Sequence, residues 1–210
     1  IWQNVYLEAR GDVFARDIFV NTLDISGKLQ ASATLINPGD TDQTVTVQAA
    51  VTGGPAAEGR VTVPAHSSME YKLPEMTVQN PKLWTAETPN LYELTFTTTA
   101  GSSADTVKQN FGIRTVSVSG TKVLVNGRAV FLTGMLHWGS YYDNYTSAVS
   151  VEQVRYELTA LKEDGFNAIK YCLISPPDYV LELCDEIGMY VYIEYPNWNP
   201  VESDIFFERS

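Results

Sequence analysis

The first half of the chain alternates hydrophobic and polar residues in short runs. As far as about residue 118 these runs have a period of two, and Gly, Pro, Asn and Asp, the residues that turns require, separate them. The pattern predicts strands at residues 13–24, 28–36, 43–52, 59–63, 67–73, 91–99 and 106–113. Their number and spacing favour an antiparallel β-sandwich of the immunoglobulin type, although the Cys…Trp…Cys signature of antibody domains is absent.

The pattern changes beyond residue 118. Two apolar runs flank Asn126-Gly127, and Asn-Gly is the strongest short signal for a hairpin with a type I′ turn. Segments of helical period then alternate with short apolar runs. Ser150 is a suitable N-cap for the first helix, Pro176-Pro177 precedes the second, and Gly188 suits a left-handed C-cap. The pattern predicts strands at residues 133–137, 167–172 and 189–193 and helices at residues 150–163 and 178–187.

Length and composition support two domains. The 210 residues, 44% of them hydrophobic, can bury a sizeable core and exceed the usual length of one domain. We place the sandwich at residues 1–117 and an α/β domain at residues 118–210. The third α/β strand is apolar throughout, which is typical of a parallel strand covered on both faces. In such architectures chemistry gathers at the carboxyl ends of the strands.

Several kinds of partner are not indicated. A formal net charge of −11 without a Lys/Arg run argues against nucleic acid. No segment approaches the roughly 20 apolar residues that a membrane span needs. No cofactor is expected, since no cluster has metal-ligand spacing and no Gly-rich loop suggests a phosphate site. We interpret Cys172 and Cys184 as small buried thiols rather than a disulfide.

Motifs in both halves resemble the family 2 glycoside hydrolases, the β-galactosidase, β-glucuronidase and β-mannosidase group. The first residues, IWQNVYLE, resemble the last strand of that family's N-terminal jelly roll. Trp84 with Leu91-Tyr92, and FGIR at residues 111–114, resemble its sandwich domain. Its catalytic barrel is resembled by three parts of the second half: the motifs of residues 126–137, the segment GFNAIKYC, and the segment LCDEIGMYV with Glu194 at the strand end. These motifs follow the family's order.

The resemblance implies a fold and an activity. The α/β part would be the first three βα units of a (β/α)8 barrel, and the parent protein would hydrolyse terminal β-linked sugars. Retaining hydrolysis needs two carboxylates roughly 5–5.5 Å apart. The family takes them from its fourth and seventh strands, which would lie beyond Ser210. The resemblance therefore implies no catalytic residue in this chain, which alone would be inactive.

The strand ends would instead line one wall of a pocket for an oligosaccharide or glycoside. The candidate substrate-binding residues are His137, Trp138, Lys170, Glu194 and Trp198. Each has a structural alternative: Lys170 would pair with Glu194, His137 would be a hydrogen-bonded structural residue, and the tryptophans would cover the rim.

The sequence also departs from the family's pattern. Ile193 stands at an Asp position, Lys170 at an Arg position, and Leu173 where a His-Tyr-Pro turn has its His. These departures leave the sugar open and fit a divergent subgroup.

Two questions stay open at this point. A non-catalytic carbohydrate-binding or adhesion sandwich is the alternative function, although such a module has no use for a βαβ pattern. The compartment is not revealed, because any targeting segment would lie upstream of Ile1; a periplasmic or secreted location is one hypothesis.

Three parallel strands cannot close a barrel, so the third would leave an open edge. Either the tail at residues 200–210 or a second copy of the chain could cover it, and we expect a homo-oligomer through this edge.

Overall fold

The computed structural model describes residues 5, 7–139 and 150–194. By its internal contacts the chain divides between Phe131 and Leu132 into two compact units. The first unit is residues 4–131, and the second is residues 132–210 together with residues 1–3. The domain boundary after residue 117 stays a prediction.

The first unit is built from antiparallel strands. One sheet has the order β1-β2-β5, with β6 also paired to β2, and a second has the order β4-β3-β7-β8. A small sheet has the order β11-β10-β9. The strands are β1 (Phe14–Thr22), β2 (Lys28–Asn37), β3 (Gln43–Val51), β4 (Ala56–Val63), β5 (Ser67–Lys72), β6 (Met76–Thr77), β7 (Tyr92–Ala100), β8 (Ser103–Phe111), β9 (Val116–Ser119), β10 (Lys122–Val125) and β11 (Arg128–Ala129).

The predicted strands before residue 114 are all confirmed, with ends that differ by a few residues. Two short strands were not predicted. The two residues of β6 are too few to show a period, and β9 is exposed along its whole length. β9 alternates Val and Ser, but all four residues are exposed, so the alternation does not mark a side that faces the core.

The two larger sheets of the first unit share one apolar core. In β2 every second residue is buried, and Leu29 and Leu35 are fully inaccessible. Val45 and Val47 of β3 are buried in the same alternating manner. Fully burying a side chain of this kind contributes about 1.5–3 kcal/mol, so the period-two pattern selects which face of each sheet turns inward.

Trp84 anchors the long connection between β6 and β7. Its side chain is buried, and the Arg114 guanidinium lies over its ring at 4.5 Å from the centroid. A Cβ added to Gly112 would come within 2.7 Å of the Trp84 Cβ, so only glycine permits this approach. The interpretation of Trp84 as a structural residue is confirmed.

The Asn-Gly hairpin is also confirmed. Asn126 and Gly127 have φ of 51° and 74°, as a type I′ turn requires, and they join β10 to β11. The Asn126 side chain accepts a hydrogen bond from the Thr115 N–H and donates one to the Trp84 carbonyl, both at 3.0 Å. The hairpin is thereby bonded to the segment that holds Trp84.

The second unit is a parallel sheet with helices on one face. The order is β12-β13-β14, with in-register parallel pairing. The elements are β12 (Gly134–His137), α1 (Val151–Glu163), β13 (Ala168–Tyr171), α2 (Asp178–Ile187) and β14 (Tyr190–Ile193). The predicted strand–helix order is confirmed, and the barrel stays a prediction.

The predicted N-cap of the first helix and the predicted C-cap of the second are confirmed. The Ser150 Oγ accepts the Gln153 N–H, and Gly188 has the left-handed conformation with φ of 85°. In the part of the chain that the structure describes, no helix is long and apolar enough to span a membrane.

The helices cover only one face of the parallel sheet. Val154 and Leu158 of α1 and Leu183 of α2 pack with Ile169 and Tyr171. On the opposite face Leu136 is 46% exposed and Tyr192 is 63% exposed. The expectation that β14 is covered on both faces is therefore not met among the described residues.

We expect the fragment of residues 4–131 to fold without the rest of the chain, because its core is internal to that unit. A dispersed amide spectrum and a cooperative thermal transition would be the result. The Leu35→Asp variant of the same fragment is the control and should lose both, since an unpaired charge is costly to bury. An undispersed spectrum of the unmodified fragment would contradict the prediction.

The Asn126→Ala variant should lose about 1–3 kcal/mol in free energy of unfolding, because the Thr115 N–H and the Trp84 carbonyl lose their hydrogen-bond partner. This loss adds to the cost of placing alanine in a left-handed backbone conformation. Asn80, exposed and with φ of 50°, supplies the matched control. Asn80→Ala carries the same backbone cost, so the difference between the variants in urea unfolding isolates the hydrogen bonds. Equal losses would show that the side-chain bonds contribute nothing.

Candidate functional site

Four of the five candidate residues, His137, Trp138, Lys170 and Glu194, lie at the carboxyl ends of the three parallel strands. Leu136, Lys170 and Tyr192 are register partners on β12, β13 and β14. Register partners in a parallel sheet point to the same face, and successive residues alternate between faces. Since Ile169 and Tyr171 contact the helices, Lys170 points to the face that the helices leave open.

Lys170 and Glu194 form an ion pair on this open face. The Lys170 Nζ is 3.2 Å from the Glu194 Oε2, and both side chains are partly exposed. The Tyr192 ring lies beside them, with its centroid 5.4 Å from the Lys170 Nζ. The Glu194 N–H donates to the Tyr171 carbonyl at 2.9 Å, which extends the strand pairing to Glu194. The expected pairing of Lys170 with Glu194 is confirmed.

Cys172 is the residue that sequence reasoning missed. Counting on from the register of β13 and β14 places it beside Glu194, and its thiol hydrogen-bonds the Glu194 carboxylate. The signal was available: Cys172 lies two residues after Lys170, so a strand puts both on one face. The prediction of a small buried thiol is confirmed, but it did not include the contact with Glu194. Leu173, the next residue, has φ of 56°, a left-handed conformation that is uncommon for a bulky side chain.

The hydrogen bonds from Cys172 and Lys170 lower the pKa of Glu194 below its ordinary value of 4.5. The same hydrogen bond, and burial after it, raise the pKa of the Cys172 thiol. Glu194 is thus an ionised carboxylate at neutral pH, and Cys172 is a protonated donor. The stability that ionised Glu194 contributes is present above pH 4.5 and is lost as the pH falls through the lowered pKa.

His137 lies on the other face of the sheet. Its register partner is Tyr171, and the two ring centroids are 5.3 Å apart. The Gly139 N–H donates to the His137 Nδ1 at 2.8 Å, and burial lowers the pKa of the imidazole from its ordinary 6.5. The hydrogen bond that the structural alternative for His137 expected is present. The structure does not bring His137 together with Lys170 and Glu194, and its contact with substrate stays a prediction.

One of the two candidate tryptophans, Trp138, lies among the described residues. Trp138 follows β12 directly and is 54% exposed, which leaves its ring accessible for stacking. Trp198 lies outside the described residues.

Both cysteines are free, as predicted. Cys184 lies on the buried side of α2, where burial raises the pKa of its thiol to about 12.

The open face offers hydrogen-bonding chemistry to a ligand. A carboxylate has four lone-pair sites, so Glu194 can accept hydroxyl donors while it holds Cys172 and Lys170. Among residues 5, 7–139 and 150–194, no group of three His, Cys, Asp or Glu side chains is placed to hold a metal ion. The arrangement suits a ligand rich in hydroxyl groups, with an aromatic ring at the rim.

Known proteins resemble the chain over both units. Residues 13–114 match the sequence profile of glycosyl hydrolases family 2, and residues 116–202 match that of the TIM barrel domain of the same family. The β-galactosidase BoGH2A of Bacteroides ovatus is 30% identical over an alignment 210 positions long, which covers 92% of this chain and 24% of that protein. The chain therefore spans about a quarter of the length of this curated relative.

Solved structures share the fold. A β-galacturonidase from Eisenbergiella tayi superimposes with a TM-score of 0.80 and 21% identity, over 89% of this chain and 33% of that one. A β-glucuronidase from Parabacteroides merdae gives a TM-score of 0.74 and 23% identity, over 94% of this chain and 26% of that one. The two profiles match consecutive parts of the chain in the order of its two units, and the chain belongs to glycosyl hydrolases family 2.

Proposed function

We propose that the chain is part of a glycoside hydrolase that cleaves terminal β-linked sugars. It would contribute the family's immunoglobulin-like sandwich domain and the first three βα units of a (β/α)8 barrel. The observation that carries the proposal is the parallel order β12-β13-β14 with helices on one face and a polar cluster at the strand ends of the other. A barrel has this arrangement, with its site at the carboxyl ends of the strands.

In this proposal the open face is one wall of the sugar pocket. Ionised Glu194 accepts hydrogen bonds from sugar hydroxyls, Lys170 donates to sugar oxygens, and Trp138 stacks on the C–H face of the ring. The two catalytic carboxylates come from residues beyond Ser210, as the family resemblance implies. In this proposal, residues beyond Ser210 set the distance between the two carboxylates and the orientation of the sugar ring.

The cluster supports the hydrolase over a binding or adhesion module. In such a module the sandwich would be the working part and the second unit would need no polar groups at its strand ends. Lys170 and Glu194 lie in the second unit, and the Trp84 region of the sandwich holds buried, structural contacts. The sugar itself is not assigned, since the named relatives act on galactosides, galacturonides and glucuronides.

We expect the 210-residue chain alone to give no turnover of chromogenic β-glycosides, whereas the full-length protein turns them over. In the full-length protein Glu194→Gln should lower kcat/KM about ten- to hundredfold, because a hydrogen bond to a charged group is worth about 1.5–3 kcal/mol. Glu186→Gln is the control: Glu186 forms an exposed ion pair with Arg155 and should leave kcat/KM unchanged. Turnover by the chain alone that disappears with Glu194→Gln would contradict the proposal and make Glu194 catalytic.

We expect the chain to self-associate through β14. Among the described residues β14 pairs on one side only, and the N–H groups of Tyr190 and Glu194 point toward β13, so those of Val191 and Ile193 point to the open edge. Sedimentation equilibrium at micromolar concentration should show a dimer or larger species, and Ile193→Lys should shift it to monomer. A wild-type monomer would show that this edge is covered within the chain.

A further inference from the structure

We propose that Cys172 is a positioning residue for Glu194. Its thiol, together with the Lys170 ammonium, holds the Glu194 carboxylate in one orientation on the open face, ready to accept sugar hydroxyls. The inference rests on the proposed function for its use of the sugar, whereas the positioning itself is a property of this chain.

The backbone places Cys172 and Glu194 side by side. The Cys172 N–H donates to the His137 carbonyl at 2.8 Å, and the Glu194 N–H donates to the Tyr171 carbonyl at 2.9 Å. These bonds continue the pairing of β12, β13 and β14 beyond their last residues. Neighbouring strands lie about 4.8 Å apart, so the short thiol side chain reaches the adjacent carboxylate directly.

The two donors differ in how firmly they are held. Lys170 is a long, flexible side chain with 41% of its surface exposed, and an ion pair of this kind is weakened by solvent. Cys172 has one rotatable side-chain bond and is 9% exposed. Lys170 thus supplies the positive charge, and Cys172 supplies the fixed direction of the hydrogen bond.

The turn after Cys172 keeps the thiol at the strand end. Leu173 adopts the left-handed conformation, which is unfavourable for a bulky residue and persists only where the surroundings impose it. Because the chain turns at Leu173, Cys172 is the last residue of this strand that can point to the open face.

Cys184 shows what a thiol without this role looks like. It packs in the core with Val180 and Met189, and burial is the main cause of its raised thiol pKa. For Cys172 the main cause is instead its hydrogen bond to Glu194, and the high thiol pKa keeps the donor proton in place at neutral pH.

The test is a carbon-13 NMR titration of the Glu194 carboxyl group in the 210-residue chain, assigned with Glu194→Gln. Cys172→Ala should raise the pKa of Glu194 toward its ordinary 4.5, because the carboxylate loses a donor. Cys172→Ser, which keeps an O–H donor, should preserve the lowered pKa. Cys184→Ala is the matched control and should leave the titration unchanged. The proposal is overturned if Cys172→Ala titrates as the wild type, or if Cys172→Ser titrates as Cys172→Ala.

A second measurement leaves Cys172 in place and covers the case in which Cys172→Ala does not fold. Iodoacetamide alkylation of Cys172, followed by peptide mass spectrometry across pH, reports the pKa of the thiol. Glu194→Gln should lower that pKa and speed alkylation, since the carboxylate that stabilises the protonated thiol is removed. An unchanged alkylation rate would contradict the hydrogen bond.

In the full-length protein the same variants separate positioning from function. Cys172→Ala should raise KM about tenfold with kcat little changed, and Cys172→Ser should restore KM. If Cys172→Ala raises the pKa of Glu194 in the chain but the full-length protein has no glycosidase activity, the proposed function is rejected and the positioning is upheld. Normal KM in Cys172→Ala would reject the use of the positioned carboxylate by the sugar.

Discussion

The alternation of side chains between the two faces of a β-strand is the constraint on which both units depend. In the first unit it buries Leu29, Leu35 and Val47 in the core that the two larger sheets share. In the second unit it sends Ile169 and Tyr171 to the helices and sends Lys170 to the open face. A shift of one residue in the pairing of β13 would place a lysine against α1 and α2, so the register and the site are set by the same hydrogen bonds.

The cluster on the open face combines charge with a neutral donor. Glu194 is held by Lys170 across 3.2 Å and by the thiol of Cys172. The pair of charges cancels, so this wall presents directional donors and acceptors rather than a net field. In the proposed sugar pocket such a wall would discriminate between ligands by the positions of their hydroxyl groups, because a polar group left without a partner at a binding site is costly.

Membership in glycosyl hydrolases family 2 gives the cluster its context. The relatives named above are described as acting on galactosides, galacturonides and glucuronides, so the fold is shared across several sugars. Function resides in site residues placed on a common fold. At the three positions where the resemblance leads us to expect Arg, His and Asp, this chain carries Lys170, Leu173 and Ile193, and Leu173 lies in the left-handed turn beside Cys172. The departures are therefore concentrated at the strand ends.

Local patterns determined the elements of this protein. The period-two alternation located the strands of the sandwich, Ser150 and Gly188 bounded the helices, and Asn126-Gly127 specified its turn, because each of these signals is read from residues adjacent in the chain. The sequence also predicted the pairing of Lys170 with Glu194, since an unpaired lysine in a strand is costly.

Only the tertiary structure decided which face each strand-end residue uses. Register is set between strands far apart in the chain, so it turned His137 to the helices and brought Cys172 beside Glu194, neither of which a local pattern reports. The short strand β6 was not predicted for the same reason, because its partner β2 is distant in the chain and two residues show no period. β9 pairs with the adjacent β10, but its alternating Val and Ser residues are all exposed, so no buried face marked it as part of a sheet.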